Sequence, residues 1–321
     1  GSVFLYMTEE DGEMRNRVYK YGWDGSELGS RTLILDLPGE PGPFHNGGKI
    51  AIGPDGFLYA VIGDVNAGGG MLDNQIPGRP LDDKSVILRV NRDTGAPAEG
   101  NPFYGYSGEM EKLQRYYAYG IRNSFGLDFD SLTGALWMTE NGPDMYDEVN
   151  LVEPGFNSGW HKVVGPISRT NVTIGDLMAF NGSQYQDPIF SWYYPVGVTD
   201  IEFFGSNKLG EEYENNVFVG DINNGAGIKY FRANSTRLDA AAPDFPDRFA
   251  DSGRSRPWPA WARRAPHRRG RERLRPPGDR RRPWSRSSAR TPDPPQEPRR
   301  RPRPRPGRRS GAVVRVSSTP G

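Results

Sequence analysis

Short apolar runs, broken every few residues by Gly, Pro, Asn or Asp, fill the first 250 positions of this 321-residue chain. Such runs predict strands joined by turns. Helical periodicity is scarce, and Gly108–Tyr117 is the best helical candidate. The clearest unit is HNGGKIAIGPDGFLYAVIGD, from His45 to Asp64. Lys49–Ile52 alternates, Gly-Pro-Asp-Gly turns, and Phe57–Ile62 is apolar, so a β-hairpin is predicted. Antiparallel pairing would bring its two ends, a histidine and an aspartate, to one sheet edge.

The pattern repeats. LYMTEED from Leu5, LYAVIGD from Leu58, LWMTENG from Leu136 and VFVGDIN from Val217 are each an apolar-aromatic strand ending in acidic or amide residues. KIAIGPDG, GLDFDSLTG and DIEFFGSNKLGEEYEN supply a preceding strand and turn for three of them. Repeated hairpins with polar strand ends point to a β-propeller, in which each blade buries its faces on its neighbours. A β-sandwich with coincidental similarity also fits the repeat. The ordered sequence suffices for about four to five blades.

Composition changes that picture at one place. Residues 1–250 hold 19 Lys and Arg against 35 Asp and Glu, whereas residues 251–321 hold 22 Arg, 5 acids and 14 Pro, with no Lys, Ile, Phe, Tyr, Met or Asn. The second segment cannot bury enough apolar surface to offset its ordering entropy, so it is expected to be a disordered Arg/Pro-rich tail. A basic arm for nucleic acid is one reading. A shifted reading frame in a GC-rich gene fits the joint loss of residue types better, and no nucleic-acid partner is expected. The chain has no Cys, so disulfides and thiolate metal sites are excluded. No apolar run reaches membrane-spanning length. No signal peptide is visible, and the opening VFLYMTEE lacks an initiating Met, as though the true N-terminus were missing.

Three loci could carry chemistry. His45 and Asp64 form the first: a histidine accepts protons near neutral pH and a carboxylate fixes its tautomer, although a histidine capping a strand fits as well. The second is YGIRNSFG, Tyr119–Gly126, where Arg122 and Asn123 between glycines could face a planar oxyanion, or form an ordinary surface turn. The third is ENGPDMYDEVNLVEPGFNSGW, Glu140–Trp160. It is rich in oxygen donors of the kind calcium favours, yet lacks EF-hand spacing; a solvated acidic turn fits equally.

Taken in order, HNGG, GPDG-LY-GD, GIRN-FG, LW-ENGP, DEVN and PG-N-GW closely resemble the quinoprotein sugar dehydrogenases, the glucose/sorbosone dehydrogenase family. The resemblance runs from about Phe4 to Phe249, with its specific motifs between His45 and Trp160. It implies an all-β, six-bladed propeller, here incomplete, carrying pyrroloquinoline quinone (PQQ) and Ca2+. By resemblance, His45 is the catalytic base, Asp64 its partner, and Arg122 and Asn123 face the quinone. The backbone carbonyls of Gly142 and Pro143 would bind the cofactor's calcium, and Glu148 with the carbonyl of Ser158 a structural calcium. Where the family carries a lysine against the quinone, this chain reads GDINNGAG, and Asn223 is the nearest match.

The implied function is oxidation of an aldose sugar at its anomeric carbon to the lactone, with electrons passed to an external acceptor. A periplasmic or extracellular location follows by the same resemblance. A non-catalytic propeller that binds sugar or protein, and a calcium-dependent lactonase, are the alternatives.

Overall fold

Strand formation follows the predicted apolar runs. The computed structural model describes residues 1–42, 44–66, 69–223, 227–232 and 317–318. Its strands are β1 (Ser2–Asp11), β2 (Glu13–Trp23), β3 (Leu28–Pro38), β4 (Ile50–Ile52), β5 (Leu58–Ile62) and β6 (Val86–Val90). Then come β7 (Tyr116–Tyr119), β8 (Gly126–Phe129), β9 (Leu136–Glu140), β10 (Asp147–Val152), β11 (Phe156–Asn157) and β12 (Gln184–Tyr185). The last are β13 (Phe190–Trp192), β14 (Val198–Phe204), β15 (Asn216–Asp221), β16 (Gly227–Phe231) and β17 (Ser317–Ser318).

They form four sheets: β17-β1-β2-β3, β4-β5-β6-β7 extended by β11 and β12, β8-β9-β10-β13, and β14-β15-β16. Within the last three, each sheet is built in chain order from its first strand outward, the connectivity of a propeller blade. The four repeated runs fall on β1, β5, β9 and β15, and three of those strands follow the predicted partner, β4, β8 or β14.

Packing explains why these strands bury both faces. Strand side chains alternate between faces. Leu58, Ala60 and Ile62 of β5 pack with Phe4, Tyr6, Val18 and Leu35 of the first sheet. Tyr59 and Val61, on the other face of β5, pack with Leu127, Leu136 and Met138 of the third sheet. Trp137, Val149 and Leu151 of the third sheet then pack with Ile201, Phe203, Val217 and Val219 of the fourth. Three cores thus alternate with four sheets, and the described residues form a partial β-propeller.

The first strands lie together. Asp128 of β8 accepts the Phe203 amide of β14 at 2.7 Å, and Thr139 of β9 donates to the Thr199 carbonyl at 2.5 Å. Lys49, just before β4, pairs with Asp200 of β14 at 2.7 Å.

Two expectations are refined. Gly108–Arg115 is a 3-10 helix, and Tyr116 already begins β7; the predicted Gly108–Tyr117 helix is therefore shorter and tighter. Of the predicted tail, 251–321, Ser317–Ser318 form β17, which pairs with Val3 and Phe4. The rest of that expectation lies outside the described residues.

Candidate functional site

The hairpin delivers what its pattern predicts. Ile50 pairs with Ala60 and Ile52 with Leu58, so both hairpin ends meet. Gly63 donates its amide to the His45 carbonyl at 3.2 Å, and Asp64 donates its own to the Arg122 carbonyl at 2.9 Å. A Cβ on Gly63 would collide with both carbonyl oxygens. Glycine at 63 is what lets the histidine loop and the arginine loop approach the same strand end.

His45 Nδ1 faces Asp64 Oδ1 at 2.5 Å, and both side chains are largely buried. Asp64 Oδ2 accepts the Trp160 indole N–H at 2.9 Å, and Oδ1 accepts the Asn66 amide at 2.8 Å. Burial alone would raise the Asp64 carboxyl; hydrogen bonds from His45, Asn66 and Trp160 hold it below the usual aspartate range. His45 has φ 48 and Val65 φ 55, backbone conformations that non-glycine residues rarely adopt and a β-branched residue avoids. Such strain persists where surrounding contacts over-determine the geometry.

The second and third loci join this dyad. Arg122 Nη1 donates to the carbonyls of Asn141 and Gly142 at 2.9 and 3.1 Å, and its guanidinium lies 5.3 Å from the Trp160 ring centroid. Burial lowers the Arg122 pKa, with the charges of Asp64, Glu140, Asp147 and Asp144 opposing that shift. Glu140, at the end of β9, is fully enclosed. Its Oε1 accepts the Arg122 amide at 2.6 Å and its Oε2 the Ser158 hydroxyl at 2.6 Å. Asp147 completes the frame: Oδ1 accepts the Gly142 amide, and Oδ2 the amides of Gly197 and Val198.

Glu148 stands opposite Glu140 across β9 and β10. It accepts the Gly165 amide at 2.6 Å and the Asn150 side-chain amide at 3.0 Å. Burial raises both carboxyls, and the charge of Glu140 raises Glu148 further. Arg122, Glu140, Asn141, Gly142, Tyr146, Glu148, Ser158 and Trp160 line one pocket. His45 and Asp64 adjoin it through Trp160. Pro143 is exposed beside Gly142. Asn223 lies apart from this lining: it is exposed at the end of β15 and donates to the Pro195 carbonyl at 3.2 Å.

Three of these side chains, Glu140, Asp147 and Trp160, did more than their sequence roles suggested. Glu140 and Asp147 read only as members of an acidic stretch, and Trp160 as the end of a motif. Their common signal is position, at a strand end or beside a glycine.

The geometry also tests the implied groups. The Arg122 Nε and the Asn123 Oδ1 are buried with no hydrogen-bond partner among the described residues. An unpaired guanidinium N–H in a pocket suits an anionic, oxygen-rich ring such as PQQ. Paired buried carboxylates and backbone carbonyls at Gly142, Pro143 and Ser158 are hard donors of the kind calcium takes. Among the described residues, no three His, Asp or Glu side chains converge as metal ligands. A cation here would therefore draw on backbone oxygen.

The partial propeller sets a His–Asp dyad beside a half-buried arginine at one strand edge. The sequence model of the Glucose / Sorbosone dehydrogenase family matches residues 1–243, and the chain belongs to that family. It is 27% identical over 193 residues to aldose sugar dehydrogenase YliI of Escherichia coli (strain K12), covering 60% of this chain and 49% of that protein. Quinoprotein glucose dehydrogenase B of Acinetobacter calcoaceticus is 32% identical over 146 residues, 41% of this chain and 29% of that protein. The PQQ-bound structure of aldose sugar dehydrogenase from Streptomyces coelicolor superposes with TM-score 0.53 at 28% identity, covering 73% of this chain and 59% of that one. The chain thus spans about half, or less, of the length of these curated relatives. Among the described residues, no helix is long and apolar enough to cross a membrane.

Proposed function

We propose that this chain carries the catalytic edge of a PQQ-dependent aldose dehydrogenase, which oxidises a sugar at its anomeric carbon to the lactone and passes electrons to an external acceptor. The observation that carries this reading is the junction of His45–Asp64 with Arg122 through Trp160.

His45 acts as base. Asp64 keeps Nδ1 protonated, so the Nε2 lone pair can take the proton of the anomeric hydroxyl. Asp64 then faces the imidazolium across the same contact and stabilises it. Trp160 holds the second Asp64 oxygen, fixing the angle of the dyad. Arg122 supplies positive charge where negative charge develops in the acceptor. Asn123 offers a buried amide beside it. When bound, PQQ with its calcium would supply a two-electron oxidant for the anomeric carbon. The carbonyls of Gly142 and Pro143 would hold that calcium, and Glu148 with the Ser158 carbonyl the structural one.

Reconstitution tests the reading. The chain is loaded with PQQ and Ca2+, and sugar-dependent dye reduction is followed. Turnover abolished in His45→Gln supports the dehydrogenase; turnover unaffected by that change overturns it. One observation favours a second reading, a propeller that binds sugar without turnover: Asn223 puts a neutral amide where the family has a cation. PQQ uptake with no dye reduction by wild type would identify it.

A further inference from the structure

Trp160 touches both Asp64 and Arg122, so whatever holds Trp160 bears on the site. β11 is only two residues long and pairs with Ala118 and Tyr119 of β7. Past it the chain leaves the ladder. Ser158 donates its amide to the Tyr119 carbonyl at 3.0 Å and Trp160 donates its own to the Gly120 carbonyl at 3.1 Å. The Trp160 carbonyl accepts the side-chain amide of Asn74 at 2.7 Å.

Asn74 lies between β5 and β6, and Asn157 ends β11. Their side chains exchange two hydrogen bonds, both 2.9 Å. Asn74 Oδ1 also accepts the Met178 amide at 2.9 Å. Asn157 Oδ1 accepts the Gly159 amide at 3.0 Å, and its Nδ2 donates to the Met178 carbonyl at 3.2 Å. Each carboxamide thus fills both of its donor and both of its acceptor positions. The pair is fully buried and sits on Gly120, where a Cβ would collide with Asn157 Oδ1. Asn74 holds φ 61, a conformation that asparagine tolerates better than most residues.

Packing alone does not call for this arrangement, because apolar side chains would fill the space without desolvating two amides. A fully satisfied buried network adds direction, since rotating one member breaks the bonds of the others. Among the described residues, neither asparagine side chain bonds to His45, Asp64 or Arg122; their reach to the site runs through the Trp160 main chain.

We propose that Asn74 and Asn157 are positioning residues for the oxidation: the amide pair fixes the Trp160 main chain so that its indole N–H meets Asp64 and its ring meets Arg122. This rests on the dehydrogenase reading above and adds to it two residues that touch neither sugar nor cofactor.

The full chain is tested first without cofactor. The Trp160 indole N–H resonance is read by NMR and assigned by its loss in Trp160→Phe; Asp64→Ala gives its position without the carboxylate. Asn74→Gly removes the side chain and accommodates φ 61. It should move the Trp160 resonance by half or more of the Asp64→Ala displacement. The indole of Trp137, buried between the third and fourth sheets, should stay in place. Asn157→Ser should move the Trp160 signal the same way by less, and it decides alone if circular dichroism shows Asn74→Gly unfolded. With PQQ and Ca2+, Asn74→Gly or Asn157→Ser should lower kcat about three- to tenfold, the scale of one hydrogen bond. In a Trp160→Phe background the same change should cost less than about twofold, because the path is already cut. A merely structural role would lower kcat equally in both backgrounds. That outcome, or an unmoved Trp160 resonance in the folded variants, overturns the proposal. Displacement of the resonance with no turnover by wild type removes the dehydrogenase and leaves the amide clamp on Trp160. Wild-type turnover with kcat unchanged in the folded asparagine variants removes the proposal and leaves the dehydrogenase.

Discussion

Asp64 is held between His45 and Trp160: Nδ1 of the histidine lies 2.5 Å from one carboxylate oxygen, and the indole nitrogen lies 2.9 Å from the other. The two partners come from opposite ends of the motif region, 96 positions apart for the tryptophan. A residue that reads as a motif's last letter therefore helps to orient the His45–Asp64 pair. Trp160 also carries the Arg122 guanidinium over its ring, so one side chain touches both Asp64 and Arg122.

The first prediction concerns this contact. Asp64→Asn should lower kcat by about 10²- to 10³-fold, because an amide permits the wrong histidine tautomer. Trp160→Phe keeps the ring but loses the donor, and should cost about tenfold or less. Steady-state kinetics of the PQQ-loaded chain check both; a larger effect for Trp160→Phe than for Asp64→Asn would contradict the order.

The second concerns Glu140. Its two oxygens join the Arg122 loop to the Ser158 loop. Glu140→Ala leaves a buried amide and a buried hydroxyl unpaired, and should destabilise by about 1–3 kcal/mol. Glu140→Gln keeps an acceptor and should lose less. Urea unfolding measures the difference, and PQQ affinity should fall in the same order.

The third concerns pH. Burial raises the Asp128 carboxyl, while the Phe203 amide and Lys49 oppose the shift and Asp200 adds to it; Glu202 also faces this group. The folded form therefore holds its proton to higher pH than the unfolded form. Stability is greatest below the ordinary aspartate range and falls as pH rises through the raised value. Asp128→Asn can still accept the Phe203 amide. It should melt higher than wild type at pH 7, with that gain vanishing at pH 4.

The fourth concerns Asn223. Asn223→Lys restores a cation at the position matching the family's lysine. If that position faces the quinone, PQQ should bind about tenfold tighter, the scale of one charge-assisted hydrogen bond. Fluorescence titration with PQQ reads this directly, and unchanged affinity would show that the position lies outside the cofactor's reach.

Much of this was legible in the sequence, for identifiable reasons. The His45–Asp64 meeting is local: a tight hairpin dictates it, so pattern alone suffices. The four repeated runs mark the strands because alternation records which faces are buried. The convergence of Arg122 and Gly142 on that hairpin needed the resemblance, since no local rule joins loops from different sheets. Glu140 was misjudged as one oxygen donor among many, because its role comes from depth, and depth is a tertiary property. Motif position alone links Asn223 to the cofactor; its side chain donates to the Pro195 carbonyl.

The loop before β4 is braced from a distance. Tyr6 donates to the Asn46 carbonyl at 2.6 Å, and Asn16 donates to the Asn46 side chain at 2.9 Å and to the Pro38 carbonyl at 2.7 Å. The residue next to His45 is thus pinned by the opening sheet. Engineers who recombine blades between relatives, treating each as an interchangeable cassette, would sever this tether at the first junction and free the His45 loop in chimeras that still fold.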